Sequence, residues 1–418
     1  MILAIDLGST SFKFGLFNGG ESQRIVHVRV KYHLGPNGTV EIDPAVVRQS
    51  VRQGFSKLNL PAKKIRAIAI TSQAQTFSVT NSHGKPIRPF ISWQDGRAQS
   101  EPHLLKRRLP DFKSHCSFGS LLAALQVCQI RHSPLKPDEK ILNLPSYLVE
   151  LWCSQSLIDD NLAAMNGLYS LKLRQWWPAA LRACGISTGQ LPRIVPIGSI
   201  AATAGAGAHD FGLPLGVPIV LAGNDQTAAA FDAGLHRGPS LLITLGTAQV
   251  AYVCSKRLPR TRAGLIRGTY PGGLFYRMAA DGCGGNIVNW AETILSNCAT
   301  DDRFFELATR GRNAVDFDAS FDLGNGAWRG LGFHHTAADL ARSVLVSLSR
   351  RMAGHVARMG IDLSKHKIYV SGGGAAQGIW INLLSEALGT KVMRSATSPL
   401  SGAARMAAEA LNVHYSPE

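Results

Sequence analysis

No two of the seven cysteines are spaced C-x-x-C, and their number is odd. A disulfide framework and a cysteine-rich zinc site are therefore not expected, and the cysteines read as small core residues of a reducing compartment. No apolar run is long enough to span a bilayer, and no basic leader precedes MILAID, so the expected location is the cytoplasm, with no membrane partner. The pattern G-x-x-x-x-G-K-[ST] is missing, and the glycines near Gly205 lack both G-x-G-x-x-G spacing and a preceding strand. Two common phosphate cradles are thereby set aside. Acidic residues are few, 28 against 44 lysines and arginines, giving a formal charge of +16. Yet the basic residues are scattered through Lys63-Lys64, Lys106-Arg107-Arg108 and Arg350-Arg351, and none forms a tract interleaved with aromatics. Nucleic acid is not an expected partner, and a generally basic surface suits small anionic ligands, a polyphosphate among them. Low-complexity and linker tracts are absent as well.

What the 418 residues do contain, at 45% hydrophobic, is enough for two soluble domains with sizeable cores. The chain is organised around Val220 to Tyr252. There an apolar run, VPIVLA, stops at Gly223-Asn224-Asp225-Gln226, and after TAAAFDAGL a second run, LLITL, breaks at Gly246-Thr247. The first break puts the Asp225 carboxylate at a sheet edge. The second predicts a tight hairpin with backbone amides exposed at its turn. Placing Leu3 to Ser9 over Leu241 to Thr247 aligns strand, glycine and hydroxyl, with Phe12 and Phe14 on Val250 and Tyr252. That internal repeat predicts two similar lobes with a cleft between them. Two facing Gly-Ser/Thr hairpins offer amides and hydroxyls to a polyphosphate, and Asp6 is a candidate holder of Mg²⁺ through water.

Along the chain, strands are expected from Met1 to Phe17 and Gln23 to Val30, and a helix from the Asp43-Pro44 cap to Pro61. IRAIAIT reads as a buried strand. Ala98 to about Gly198 reads as mostly helical, clearest in Leu121 to Ile130 and Ser146 to Cys153. Gly234 to Pro239 is the expected lobe boundary, dividing residues 1–235 from 236–418. Helices are expected after Ala280 to Asn286 and from Thr336 to Met359, and HKIYVSGGGAAQGIWINLLSEALG gives strand, triple glycine and helix.

Five blocks in order and spacing give the chain a family likeness: AIDLGSTSFKFGLF, ITSQAQTFSV with GKPIRPFISWQDGRA, VPIVLAGNDQTAAAFDAGL, LLITLGTA, and SGGGAAQGIWINLLSEALGTKV before SPLSGAARMAAEA. The sequence resembles the FGGY carbohydrate kinases, relatives of actin, hexokinase and the heat-shock chaperone ATPases. The resemblance implies an α/β fold of two ribonuclease-H-like lobes with mixed β-sheets flanked by helices and a central cleft. It further implies ATP with Mg²⁺, and γ-phosphoryl transfer to a hydroxyl of a sugar or polyol.

Matched by position, Asp225 corresponds to the family's catalytic base and Gln226 to its sugar-contacting neighbour. A carboxylate there accepts the proton of the attacking hydroxyl while metal and amides steady the phosphoryl group. Trp93, Asp95 and Arg97 fall on the W-x-D-x-R acceptor segment, although Asp95 and Arg97 equally suit a salt bridge fixing a strand end. Gln75 lies in the same region, where Ala74-Gln75 departs from the xylulose-type and glycerol-type patterns. Gly8, Ser9, Thr10 and Lys13 match the first phosphate motif, with a solvated strand position the alternative for Lys13. Gly246 and Thr247 match the second. Gly373, Gly374 and Ala375 match the adenosine motif, with Asn382 on the next helix, and Gly284 and Gly285 match a segment near the ribose and phosphates. Trp380 is read as core. Asn224 precedes the base where relatives carry glycine, a position compatible with positive φ in Asn. The chain is also short for the family between Trp290 and Thr336. The resemblance thus leads us to expect an ATP-dependent kinase, a monomer or homodimer, acting on a ketose such as xylulose or ribulose, or on a polyol; the alternative is a regulatory or assembly protein of the same fold.

Overall fold

The computed structural model describes residues 1–296, 304–312, 314–320 and 326–413. It opens with β1 (Ile2–Leu7), β2 (Ser11–Asn18) and β3 (Glu21–Arg29), followed by α1 (Pro44–Leu58) and β4 (Ala67–Ser72). The Asp43 side chain accepts from Ala45 N and starts α1, while left-handed Asn59 ends it before Pro61. After a long excursion the chain returns as β5 (Pro218–Asn224), which runs into α2 (Asp225–Asp232). A second system then comprises β6 (Ser240–Leu245), β7 (Gln249–Ser255), β8 (Leu274–Asp281), α3 (Gly285–Ser296), α4 (Ala337–Met359), β9 (Lys367–Ser371), α5 (Gly378–Leu388), β10 (Met393–Arg394) and α6 (Pro399–Ala410).

The repeat read from the sequence is present in the sheets. β1 is antiparallel to β2 and parallel to β4, β2 is antiparallel to β3, and β4 is parallel to β5. In the second sheet β6, β7, β8, β9 and β10 repeat those senses in the same order. The hairpins differ, however, by one residue. Leu7 faces Phe12 across the first turn, whereas Leu245 faces Gln249 across the second. Lys13, opposite Asp6, therefore corresponds to Val250, opposite Thr244, and the expected pairing of Phe12 with Val250 is shifted because the second turn is shorter.

Alternation in the strands assigns their two faces. Leu3, Ile5 and Leu7 face the core that includes α1, while Ile2 and Ala4 join a core that also contains Leu242, Val250 and Tyr252 of the second sheet. The small side chains of Ala4, Ala69 and Ala222 leave room there for α2 and α6. The last helix of the chain reaches back across the boundary: α6 packs on β1, β4 and α2 of the first lobe. Residues 98–198 also depart from the mostly helical expectation. Short strands at Lys140–Asn143, Leu157–Asp159, Tyr169–Ser170, Gln175–Trp176 and Arg193–Val195 interrupt the helices, and the helix expected from Leu121 begins only at Gln126. Strands of two to four residues are too short to display alternation. Lys140–Asn143 gains its strand character by pairing with Phe77–Thr80, more than fifty residues earlier.

Candidate active site

Three parallel strands stop at one edge of the first sheet, with Leu7 opposite Ser72 and Ser72 opposite Asn224. Asp6, one residue short of that edge, is buried on the face shared with Ile2 and Ala4. The β1–β2 register sets Lys13 directly across from it, and Lys13 Nζ lies 3.1 Å from Asp6 Oδ2. Lys13 is thus an ion-pair partner and not a solvated strand residue. Asp6 Oδ1 is buried with no hydrogen-bond partner. Burial raises the Asp6 pKa against the opposing charge of Lys13. Beyond the edge, Gly8 and Ser9 are half-buried and Thr10 is exposed, so the turn presents its polar groups outward.

Asp225 is the half-buried first residue of α2. The helix is capped by Asn224, whose side chain accepts from Thr227 N at 2.9 Å. Asn224 has φ −76°, so the positive φ expected of it belongs instead to Gly223, at +70°. A Cβ on Gly223 would lie 2.4 Å from Ile197 Cδ1 and 2.8 Å from Asn161 Oδ1. Burial first, and then the charge of Asp6, push the Asp225 carboxyl up to about 6, against the Gln226 backbone hydrogen bond and Lys13. Asp6, Lys13 and Asp225 therefore form one electrostatic group. Gln226 is half-buried beside it, its backbone N donating to Asp225 Oδ1 at 2.8 Å.

Asn161 has a part that sequence reasoning missed. Its Oδ1 accepts from Asn224 N at 3.0 Å and Asn224 Nδ2 at 2.8 Å, while its Nδ2 donates to Thr227 Oγ1 at 3.1 Å and to Thr269 O, in the second lobe, at 2.6 Å. Asn161 thus ties the root of Asp225 to both lobes. The available signal was the run Asp159-Asp160-Asn161 between apolar LI and LAAM. A second tie joins the Thr227 and Tyr252 hydroxyls at 2.9 Å.

In the second lobe the expected nucleotide segments converge on one hairpin. Thr247 is exposed at the turn, and Gly285 N donates to Gly246 O at 2.8 Å while Asn286 N donates to Thr247 O at 3.2 Å. A Cβ on Gly284 would lie 2.8 Å from Thr247 O, so the backbones approach as only glycine permits. Gly372, at φ +87° beside Leu245, makes the turn that leaves Gly373 exposed. Gly374 and Ala375 are buried, Trp380 is core, and Asn382 is exposed on α5. Asp281 anchors this loop. It accepts from Cys283 N, from both Arg351 Nε and a terminal Arg351 nitrogen, and pairs with His355 Nε2.

The acceptor segment divides in two. Asp95 is buried, and its oxygens accept from Val40 N, Arg97 N and Arg97 Nε at 2.8 to 3.0 Å, while the Arg97 guanidinium also meets Glu41 at 2.7 Å. Those contacts fix the strand end. Trp93, 40% exposed, is held by its backbone N on Thr76 Oγ1, which leaves its side chain open to a ligand. Gln75 is buried at φ +67°, its Nε2 donating to Met165 O and its carbonyl accepting from Gln126. Met165 sulfur in turn lies 3.1 Å from Asn224 Nδ2, so Gln75 reaches the Asp225 root through packing.

Residues 1–232 match the model of the N-terminal domain of the FGGY family of carbohydrate kinases, and residues 241–411 that of its C-terminal domain. The chain is 24% identical to a xylulose kinase of Escherichia coli over 99% of its length and 90% of that protein's. It is 23% identical to a gluconokinase of Bacillus subtilis over 59% of its length and 50% of that protein's. Among solved structures, the xylulose kinase from Rhodospirillum rubrum superposes with a TM-score of 0.86 at 21% identity, covering 98% of this chain and 90% of that one.

Proposed function

The chain belongs to the FGGY family of carbohydrate kinases, as an ATP-dependent phosphotransferase with a sugar or polyol hydroxyl as acceptor, and from that premise we propose that Asp225 is its base and a ketose such as xylulose or ribulose its acceptor. The observation that carries the assignment is Asp225 itself, half-buried at the start of α2 and coupled to Asp6 and Lys13, with its carboxyl near 6. A base tuned close to neutral pH is ionised when the hydroxyl arrives, yet retains enough proton affinity to take its hydrogen. Trp93 supplies an apolar face for the C–H side of the sugar, with Gln226 beside the base. Gln75, Asp95 and Arg97 shape that wall from behind.

The turns at Gly8-Ser9-Thr10 and Gly246-Thr247 are proposed to hold the phosphates, Gly284 and Gly285 to support the second turn, and Gly373, Gly374, Ala375 and Asn382 to receive the adenosine. Asp6 fits a Mg²⁺ site. Its buried Oδ1 is an acceptor short of a donor, and the described residues hold no group of three acids or imidazoles to form an all-protein cage. That combination suits an ion that keeps several waters and takes its remaining ligands from phosphates. When bound, Mg²⁺ would neutralise phosphate charge. Lys13 holds the opposite oxygen of Asp6 and keeps the carboxylate oriented. The described helices include none long and apolar enough to cross a membrane. We place the protein in the cytoplasm on its cysteines, whose odd number and spacing suit a reducing compartment.

ADP release over a panel of ketoses, polyols and aldonates tests the acceptor. We expect one ketose to give the highest kcat/KM, and a higher value for a polyol or aldonate rejects a ketose as acceptor. Asp225→Asn should lower sugar-dependent turnover by roughly 10²–10⁴-fold while ATP affinity stays within about twofold. Retained turnover removes Asp225 from the role of base.

A further inference from the structure

Away from Asp225, at the junction of the lobes, two cavities share Arg174 and Ile194 as a common wall. One, of about 530 Å³, is lined from the first lobe by Asp160, Tyr169 and Ile197, and from the second by Thr269, Tyr270 and the Gly272-Gly273 backbone. The other, of about 460 Å³, is lined by Arg193, Trp176 and Thr188. Each has the size of a small-molecule site. Asp160 is the sole carboxylate among the residues lining either cavity; it lines the first only, and Arg193 the second only. Both arginines are exposed. Arg174 sits at φ +55°, a left-handed conformation that costs a non-glycine residue energy and fixes where its side chain departs.

The chemistry of the groove is graded. Arg174 on the common wall and Arg193 in the second cavity present forked donors suited to a phosphate or carboxylate. In the first cavity Asp160, within reach of the Arg174 charge and accepting from Ile197 N on Oδ1 at 2.9 Å, is an acceptor for hydroxyl groups, with Thr269 beside it. We propose that this groove binds a small phosphate ester bearing several hydroxyls, its phosphate on Arg174 and Arg193 and its hydroxyls toward Asp160, at a place separate from the site where the sugar is phosphorylated. Such a ligand also touches the tie between the lobes. Thr269, in the cavity wall, receives the Asn161 amide that holds Asn224 and the root of Asp225, so occupancy bears on the base through one side chain.

Binding and rate are separate readouts, and only the second rests on the kinase reading. Titration calorimetry with xylulose 5-phosphate, 6-phosphogluconate and glycerol 3-phosphate is run on the wild type, on Arg174→Gln/Arg193→Gln and on Asp225→Asn. At least one ester should bind the wild type and Asp225→Asn alike, and bind the double arginine variant at least tenfold more weakly. Undiminished binding of every such ester in the double variant, or absence of binding by all three esters, overturns the proposal. The same ester should change the sugar-dependent rate of the wild type and leave that of the double variant, whose basal turnover is unaltered, unchanged. An ester that binds the groove without changing the rate rejects its link to Asp225, and a protein that turns over no sugar leaves the calorimetric result standing.

Discussion

Asp225 is tuned by two opposed demands, and pH separates them. As a base it works ionised, so kcat/KM for the sugar should rise with pH and level off above about 6, which a pH–rate profile reads directly. As a half-buried acid with a desolvated carboxyl it weakens the fold. Its folded pKa, near 6, lies above the ordinary value of 3.8, so between those limits the unfolded chain gives up the proton first and stability falls as pH rises. Asp225→Asn should therefore raise the melting temperature above pH 6, by an amount equivalent to roughly 2 kcal/mol, and leave it unchanged below pH 4. A variant that gains nothing at pH 7 shows the carboxylate to be better solvated than its surroundings imply. The acceptor segment makes the same point from the other side. Asp95→Ala removes a buried ion pair and should cost about 3 kcal/mol in urea denaturation, whereas Trp93→Ala should cost under about 0.5 kcal/mol and raise the sugar KM severalfold. An unchanged KM in the Trp93 variant takes the ring out of the sugar site.

At the level of helices and hairpins, α6 comes from the end of the chain to support the helix that carries Asp225. A Cβ on Gly402 would lie 1.8 Å from Ala228 O, so the two helices touch backbone to backbone. Asp232 continues the contact, accepting from Ser398 N at 3.0 Å and from Ser401 Oγ at 2.9 Å. Gly402→Ala must separate the helices, and an expected loss of about 2 kcal/mol in denaturation should come with a lower kcat at unchanged ATP affinity. Full kcat in a destabilised variant limits α6 to holding the fold. The two hairpins teach a related lesson. Their motifs are alike in sequence, yet one turn is a residue shorter, so the position opposite Asp6 is a lysine and its counterpart opposite Thr244 is a valine. Only the first hairpin carries the ion pair beside the base.

Taken together, the repeated sheet order and the core shared by Ile2, Ala4, Leu242 and Tyr252 make the lobes one structure. Much of this was legible in the residues. Long alternating or helical stretches such as VPIVLA and Thr336 to Met359 announce themselves locally, and glycine after a buried strand marks a turn because few other residues tolerate it. The short strands of residues 98–198 were hidden because their character comes from distant partners, as with Lys140–Asn143 on Phe77–Thr80. Asn161 was hidden for the same reason, since its partners at 224, 227 and 269 are far along the chain. The duplicated strand-and-turn units, the carboxylates Asp6 and Asp225 near strand ends and the family to which the chain belongs could all be read from the order of residues, because those depend on local pattern. Folding alone settled which oxygen of Asp6 is left open, that Asp95 is spent on Arg97, and that α6 and Asn161 brace Asp225, because each depends on groups that meet only when distant segments pack together.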